Sequence, residues 1–270
     1  NSIRYGLRAR KPGEIFDFAL LVIRVHFARF LGVAAPLIVL FTAVNLGIIL
    51  YFGLEDEGLD FSVGFGLVLL GILFLQRTLL ALPLVLLNGE LLFDRHPTFG
   101  DILIRSLKML PRFFFHQVFL RALLTGPLVW TVVGPWRALV THFFKSEVIA
   151  LERLKGSQMN RRLQALATGQ GERTFVFLIW DGIVFALFLF SGVYSLWFIF
   201  STAGLDGRYW WLDMRLSLFS PALHLLVLVY SVFHTTAKFL YYVDTRSLRE
   251  GWDVEKILAR GVRESEAATS

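Results

Sequence analysis

Long stretches without formal charge dominate this chain and leave it few ways to fold. LGVAAPLIVLFTAVNLGIILYFG, residues 31–53, contains no Asp, Glu, Lys, Arg or His. Apolar runs of similar or greater length recur at 61–93, 113–144, 174–204 and 214–243. About 20 apolar residues, rising ~1.5 Å each in a helix, cross the ~30 Å hydrocarbon core of a bilayer. In lipid the backbone must satisfy its own N–H and C=O groups, which a helix does. Composition agrees: 56% of residues are hydrophobic and 18% charged, against about 45–50% and about 25% in soluble domains. The expected fold is an all-α polytopic membrane bundle.

The segments order themselves along the chain. The opening NSIRYGLRARKPG is polar and basic, with no cleavable signal peptide visible, so insertion is expected to rely on the first membrane helix. Residues 14–30 are apolar but broken by Glu14, Asp17, Arg24 and Arg29, which predicts an interfacial helix. Spans are expected at about 31–53, 61–93, 174–204 and 214–243. The second is over-long and must tilt, kink at Pro83 or project beyond the bilayer. In 101–112, Asp101, Arg105, Lys108 and Arg112 fall on one face opposite Ile, Leu and Met, another interfacial pattern. Residues 113–144 are too long for one span and are broken at Gly126-Pro127 and Gly134-Pro135. Both flanks are basic, so this segment should enter and return on the same side as a helical hairpin. Six membrane segments result if it crosses fully, four plus a re-entrant hairpin otherwise. A polar loop at 145–173 and a C-terminal interfacial helix at 244–263 complete a single domain over 1–263, with 264–270 as a disordered tail.

Charge sets the expected orientation. Segments 1–29, 94–112, 145–173 and 238–270 hold 22 of the 27 Lys and Arg residues, whereas the two opposite loops hold only Arg208. The positive-inside bias then puts both termini in the cytoplasm. The same bias accounts for the net charge of +6 without invoking nucleic acid. The chain has no cysteine, which excludes disulfides, thiolate metal sites and cysteine catalysis.

Ionisable groups inside apolar spans are costly and mark candidate functional positions. The deep ones are Arg77, Arg121, Asp181 and His224. An Arg77–Asp181 pair between helices would satisfy both charges. The histidines at 116, 224 and 234 share no i, i+3 or i+4 spacing, so no metal site is expected. No G-x-S-x-G, H-E-x-x-H or Walker-type motif occurs, and no cofactor or enzymatic activity is expected.

The last span leaves the membrane through FLYYVDTRSLREGWDVEKI, residues 239–257. Phe239, Tyr241 and Tyr242 read as an aromatic belt. Beyond them Arg246, Arg249, Trp252 and Asp253 are candidates for docking or for lipid headgroups. Tyr242, Asp244, Arg246, Arg249, Glu250, Gly251, Asp253 and Glu255 form a Y-x-D-x-R-x-x-R-E-G-x-D-x-E exit. With RKPGEIFDFALLVIRVHFARF and SEVIALERLKG, it resembles a group of uncharacterised bacterial membrane proteins similar to the membrane domain of some glycerophosphodiester phosphodiesterases. The resemblance implies about six membrane helices in a bacterial inner membrane. It carries over no catalytic residue, because the phosphodiesterase chemistry belongs to a separate soluble domain.

Two functional readings follow. The first is a non-enzymatic subunit, scaffold or assembly partner of a larger membrane complex, with membrane lipids and other membrane proteins or further copies of itself as partners. The alternative is a transporter or lipid-handling protein gated by the 113–144 hairpin. That version requires a water-accessible cavity reaching the deep charges.

Overall fold

The computed structural model describes residues 11–55, 63–93, 95, 97–119, 140–152, 154, 156–202 and 220–250. Among the described residues the chain is all-helical. Helix α1 (Pro12–Val25) starts with Pro12, whose fixed φ suits the first helical turn and whose missing N–H would have had no partner there. The chain breaks at His26, whose N–H bonds back to Val22, and α2 (Phe27–Glu55) follows at once. The expected boundary between interfacial helix and first span, residue 30, therefore lies at residue 26. Helix α1 buries Ile15, Phe16, Ala19 and Val22 along one face, and packs that face on the bundle.

Helix α3 (Val63–Leu92) runs through Pro83 without interruption. Helix α4 (Phe99–Phe114) opens on a capping box: Thr98 Oγ1 accepts from the Asp101 N–H, and the Asp101 carboxylate accepts from the Thr98 N–H. It buries Ile102, Ser106 and Phe113 and leaves Ile104 and Leu107 exposed. A π-helical turn, Phe115–Phe119, continues it. Most of the expected hairpin, residues 120–139, lies outside the described residues.

The segment expected as a polar loop instead begins inside the protein. Lys145–Glu147 form a helical turn, Val148–Glu152 a π-helical turn, and Lys145, Ser146 and Glu147 are all buried. Helix α5 (Gly156–Ala167) ends near Gly169, whose φ of +69° is the left-handed conformation that glycine adopts without steric cost. Helix α6 (Gly171–Thr202) and helix α7 (Pro221–Glu250) close the fold. Helix α7 continues unbroken past the expected exit at residue 243 to Glu250. The rest of the expected C-terminal helix and the 264–270 tail lie outside the described residues.

Four of these helices are long and apolar enough to cross a membrane: Phe27–Tyr51, Phe65–Leu92, Gly171–Ile199 and Pro221–Glu250. Helix α7 is their hub and packs against α1, α2, α3 and α6. In its most apolar stretch 61% of residues are buried, against 6% in α6, so α7 forms the centre and α6 the rim. Polar bonds between helices pin the packing, as small and polar residues do in membranes. Asn45 and Gln76 exchange amide hydrogen bonds of 2.9 and 2.7 Å between α2 and α3, with both side chains buried. Gly192 lets α6 approach α7 closely: a Cβ there would stand 2.6 Å from Leu226 Cδ2. Near the charged end, Phe16, Phe177 and Tyr241 stack in series at centroid distances of 4.9 and 5.0 Å.

Candidate functional site

Helix α7 carries a row of polar side chains at i, i+4 spacing: Tyr230, His234, Lys238, Tyr242, Arg246 and Glu250. Such residues lie one above the other on a helix, with the row drifting slowly round the axis. The drift brings successive members against different neighbours, and each meets a partner. Tyr230 donates 2.7 Å to Asp181 Oδ1, and His234 Nδ1 lies 2.9 and 3.0 Å from the two Asp181 oxygens. Lys238 Nζ sits 3.2 Å from Glu147 Oε2 and donates 2.5 Å to Ser146 Oγ, which bonds Glu147 in turn at 2.8 Å. Tyr242 donates 2.6 Å to Glu152. Arg246 pairs with Glu250 at 2.9 Å and approaches Glu152 at 3.8 Å.

The lower part of this row closes the charged end of the bundle. Arg162 on α5 donates 2.7 Å to Glu152 and 2.8 Å to Glu250, tying α5, the π-helical turn and α7 together. Burial opposes its charge, but Glu250 and Glu152 outweigh that and hold the Arg162 guanidinium above its ordinary pKa. Arg173 pairs with the buried Asp244, and Arg249 caps the end of α5 by donating to the Ala165 and Thr168 carbonyls.

The upper part lines a cavity. His234, Lys238, Ser231 and Thr235 of α7 face Arg77, Thr78 and Ala81 of α3, and Ser146, Glu147 and Gln117 close the remaining wall. The cavity holds about 200 Å³. Counted along α7 at about 1.5 Å per residue, Lys238 and His234 lie about 12 and 18 Å inward from Arg246. These polar groups therefore sit along the stretch of α7 that is long and apolar enough to cross a membrane. Arg77 and Phe74 also belong to a second space of about 640 Å³ between α3, α6 and α7. Its other walls include Leu67, Leu70, Leu189, Leu223 and Val227, so it is apolar save for Arg77 and His224. A polar chamber and an apolar groove thus meet at one arginine.

The deep residues singled out from sequence resolve as follows. Arg77 and His224 line this pair of spaces, and Asp181 bonds His234 of the chamber wall. The Asp181 carboxylate is held by His234 and Tyr230, and Arg77 acts on it only through its charge, outside the 4.0 Å of an ion pair. His224 is buried in the groove wall. Arg246 and Arg249 stand at the charged end. Arg121, Trp252 and Asp253 lie outside the described residues. Sequence reading did not assemble His234, Lys238 and Glu147 into a site; the i, i+4 row on α7 is the signal that would have found the first two.

Among the described residues no three His, Asp or Glu side chains converge to hold a metal ion. No known protein family, curated protein or solved structure matches the chain.

Proposed function

We propose that this chain is a non-enzymatic, lipid-handling membrane protein that draws an amphiphile sideways into the bundle. One observation carries the reading: the polar chamber and the apolar groove share Arg77 and Phe74, so a headgroup and an alkyl chain can be held side by side. Desolvated charges in a membrane interior are costly, and they mark pathways for polar cargo. In this reading residues 113–144 add two segments to the four spans, the charged end faces the cytoplasm of a bacterial inner membrane, and both termini lie there, as the Lys and Arg bias argues. The test is photocrosslinking with a lipid that carries a diazirine in its acyl chain. Crosslinks should concentrate on Leu70, Leu189 and Val227, and Gly71→Trp, which fills the groove from an open position, should remove them. Crosslinks spread evenly over the outward faces of all four spans would refute the reading.

A second reading, a subunit or scaffold of a larger complex, is favoured by α6. It leaves Leu187, Phe190, Tyr194, Trp197 and Phe198 exposed, a broad apolar and aromatic face for a partner helix or another copy. Purification in a mild detergent followed by mass spectrometry decides between them: a stoichiometric set of attached proteins supports the subunit, and recovery with lipid alone supports the first reading.

A further inference from the structure

Two groups in the polar chamber have unused binding capacity, and together they specify a headgroup. Arg77 is the first. Among the described residues no carboxylate lies within ion-pair distance of its guanidinium, while Lys238 is matched by Glu147 and His234 by Asp181. The Arg77 guanidinium therefore keeps its hydrogen-bonding fork clear of any carboxylate, with Asp181 acting on it only through its charge. Glu147 is the second. Its side chain is fully buried, Oε2 is taken by Ser146 and Lys238, and Oε1 has no hydrogen-bond partner. A buried carboxylate oxygen without a donor is costly and is satisfied when one arrives. Both groups line the same cavity of about 200 Å³.

Resting on the lipid-handling reading, we infer that the chamber recognises a phospholipid whose headgroup couples a phosphodiester to a hydrogen-bond donor, as phosphoethanolamine does. The phosphate pairs with Arg77, whose planar fork matches two phosphate oxygens. The ammonium N–H donates to Glu147 Oε1. One acyl chain lies in the groove lined by Leu70, Leu189 and Val227. Phosphatidylcholine offers the phosphate without an N–H, and diacylglycerol offers neither.

The experiment is native mass spectrometry of the purified full chain, titrated with phosphatidylethanolamine, phosphatidylcholine and diacylglycerol of identical acyl chains. Each charge-assisted hydrogen bond corresponds to about tenfold in retention, so the three should bind in that order with steps of about tenfold. Arg77→Gln should erase the step between phosphatidylcholine and diacylglycerol, and Arg77→Lys should keep part of it. Glu147→Gln should narrow the step between phosphatidylethanolamine and phosphatidylcholine. Thermal unfolding in the same detergent confirms that each variant is folded. Equal retention of all three lipids by the wild-type chain, with loss of all three in Gly71→Trp, overturns the headgroup assignment and leaves the lipid-handling reading standing. Lipid retention unchanged by Gly71→Trp overturns both.

Discussion

Replacing Lys238 by Met removes the cation that faces a completely buried carboxylate. In the native chain Lys238 Nζ lies 3.2 Å from Glu147 Oε2, and Glu147 is 0% exposed. At that separation and an effective dielectric near 20, the Coulomb attraction is about 5 kcal/mol. Much of it offsets the cost of taking both charges out of water, yet breaking such a pair leaves an uncompensated buried charge at about 3–5 kcal/mol. Lys238 keeps some exposure, so the lower figure, about 3 kcal/mol, is the expected loss. For a chain of this size that lowers the unfolding midpoint by roughly 6–12 °C. The assay is thermal unfolding of the purified protein in detergent, followed by intrinsic tryptophan fluorescence. The double variant Lys238→Met with Glu147→Gln removes both charges and should recover much of the loss, with a coupling between the sites of about 0.5–3 kcal/mol. If the double variant unfolds where the two single shifts add, Glu147 does not depend on Lys238 and the reasoning fails.

Gln76→Leu strands Asn45 in the apolar interface between α2 and α3 and should cost about 1–2 kcal/mol, read as a lower unfolding midpoint; Asn45→Leu with Gln76→Leu should cost less than the two single changes summed. Arg162→Gln removes the bridge between Glu152 and Glu250, so hydrogen exchange should accelerate in the last two turns of α7 and stay unchanged around Asp181. The capping box on α4 makes a pH prediction. Hydrogen bonds from the Thr98 side chain and backbone hold the Asp101 pKa below the usual carboxylate range, so the carboxylate stabilises the fold above its unfolded pKa of about 3.9. That contribution disappears as pH falls through the lower, folded value. The protection factors of amides in the first turn of α4, taken against intrinsic exchange at each pH, should therefore fall on acidification, and Thr98→Ala should lower them already at neutral pH.

Some of this architecture is legible without coordinates because the bilayer imposes it. Runs such as 31–53 admit only a helix, and the polar stripe from Asp101 to Arg112 reveals a helix with one wet face. Burial within the spans is not legible. Where a helix is apolar all round, the lipid side and the protein side have the same composition, so apolar patterning alone does not separate a hub like α7 from a rim helix like α6. The polar residues that break the tie do so only as a set. Arg77 and Asp181 stand out because charge in an apolar run is conspicuous, but their neighbours come from distant segments. Glu147 hid in a stretch whose average polarity suggests a loop, although aromatic packing and Lys238 draw it inside. Asn45 and Gln76 carry no charge, yet they form a reciprocal bond between spans. The row from Tyr230 to Glu250 was present in the sequence; it required i, i+4 counting across residue types rather than among histidines alone.

The central claim is that a polar chamber deep in the bundle is reached by water and by lipid. The chain has no native cysteine, so single cysteines report accessibility without background. Ala81→Cys lies in the chamber wall, and Leu82→Cys next to it replaces a side chain that is 1% exposed and outside the chamber. In proteoliposomes treated with a water-soluble methanethiosulfonate, Ala81→Cys should react much faster than Leu82→Cys, and added phosphatidylethanolamine should slow it. If Ala81→Cys is as inert as Leu82→Cys, the chamber is dry, its charges serve packing alone, and the account is wrong.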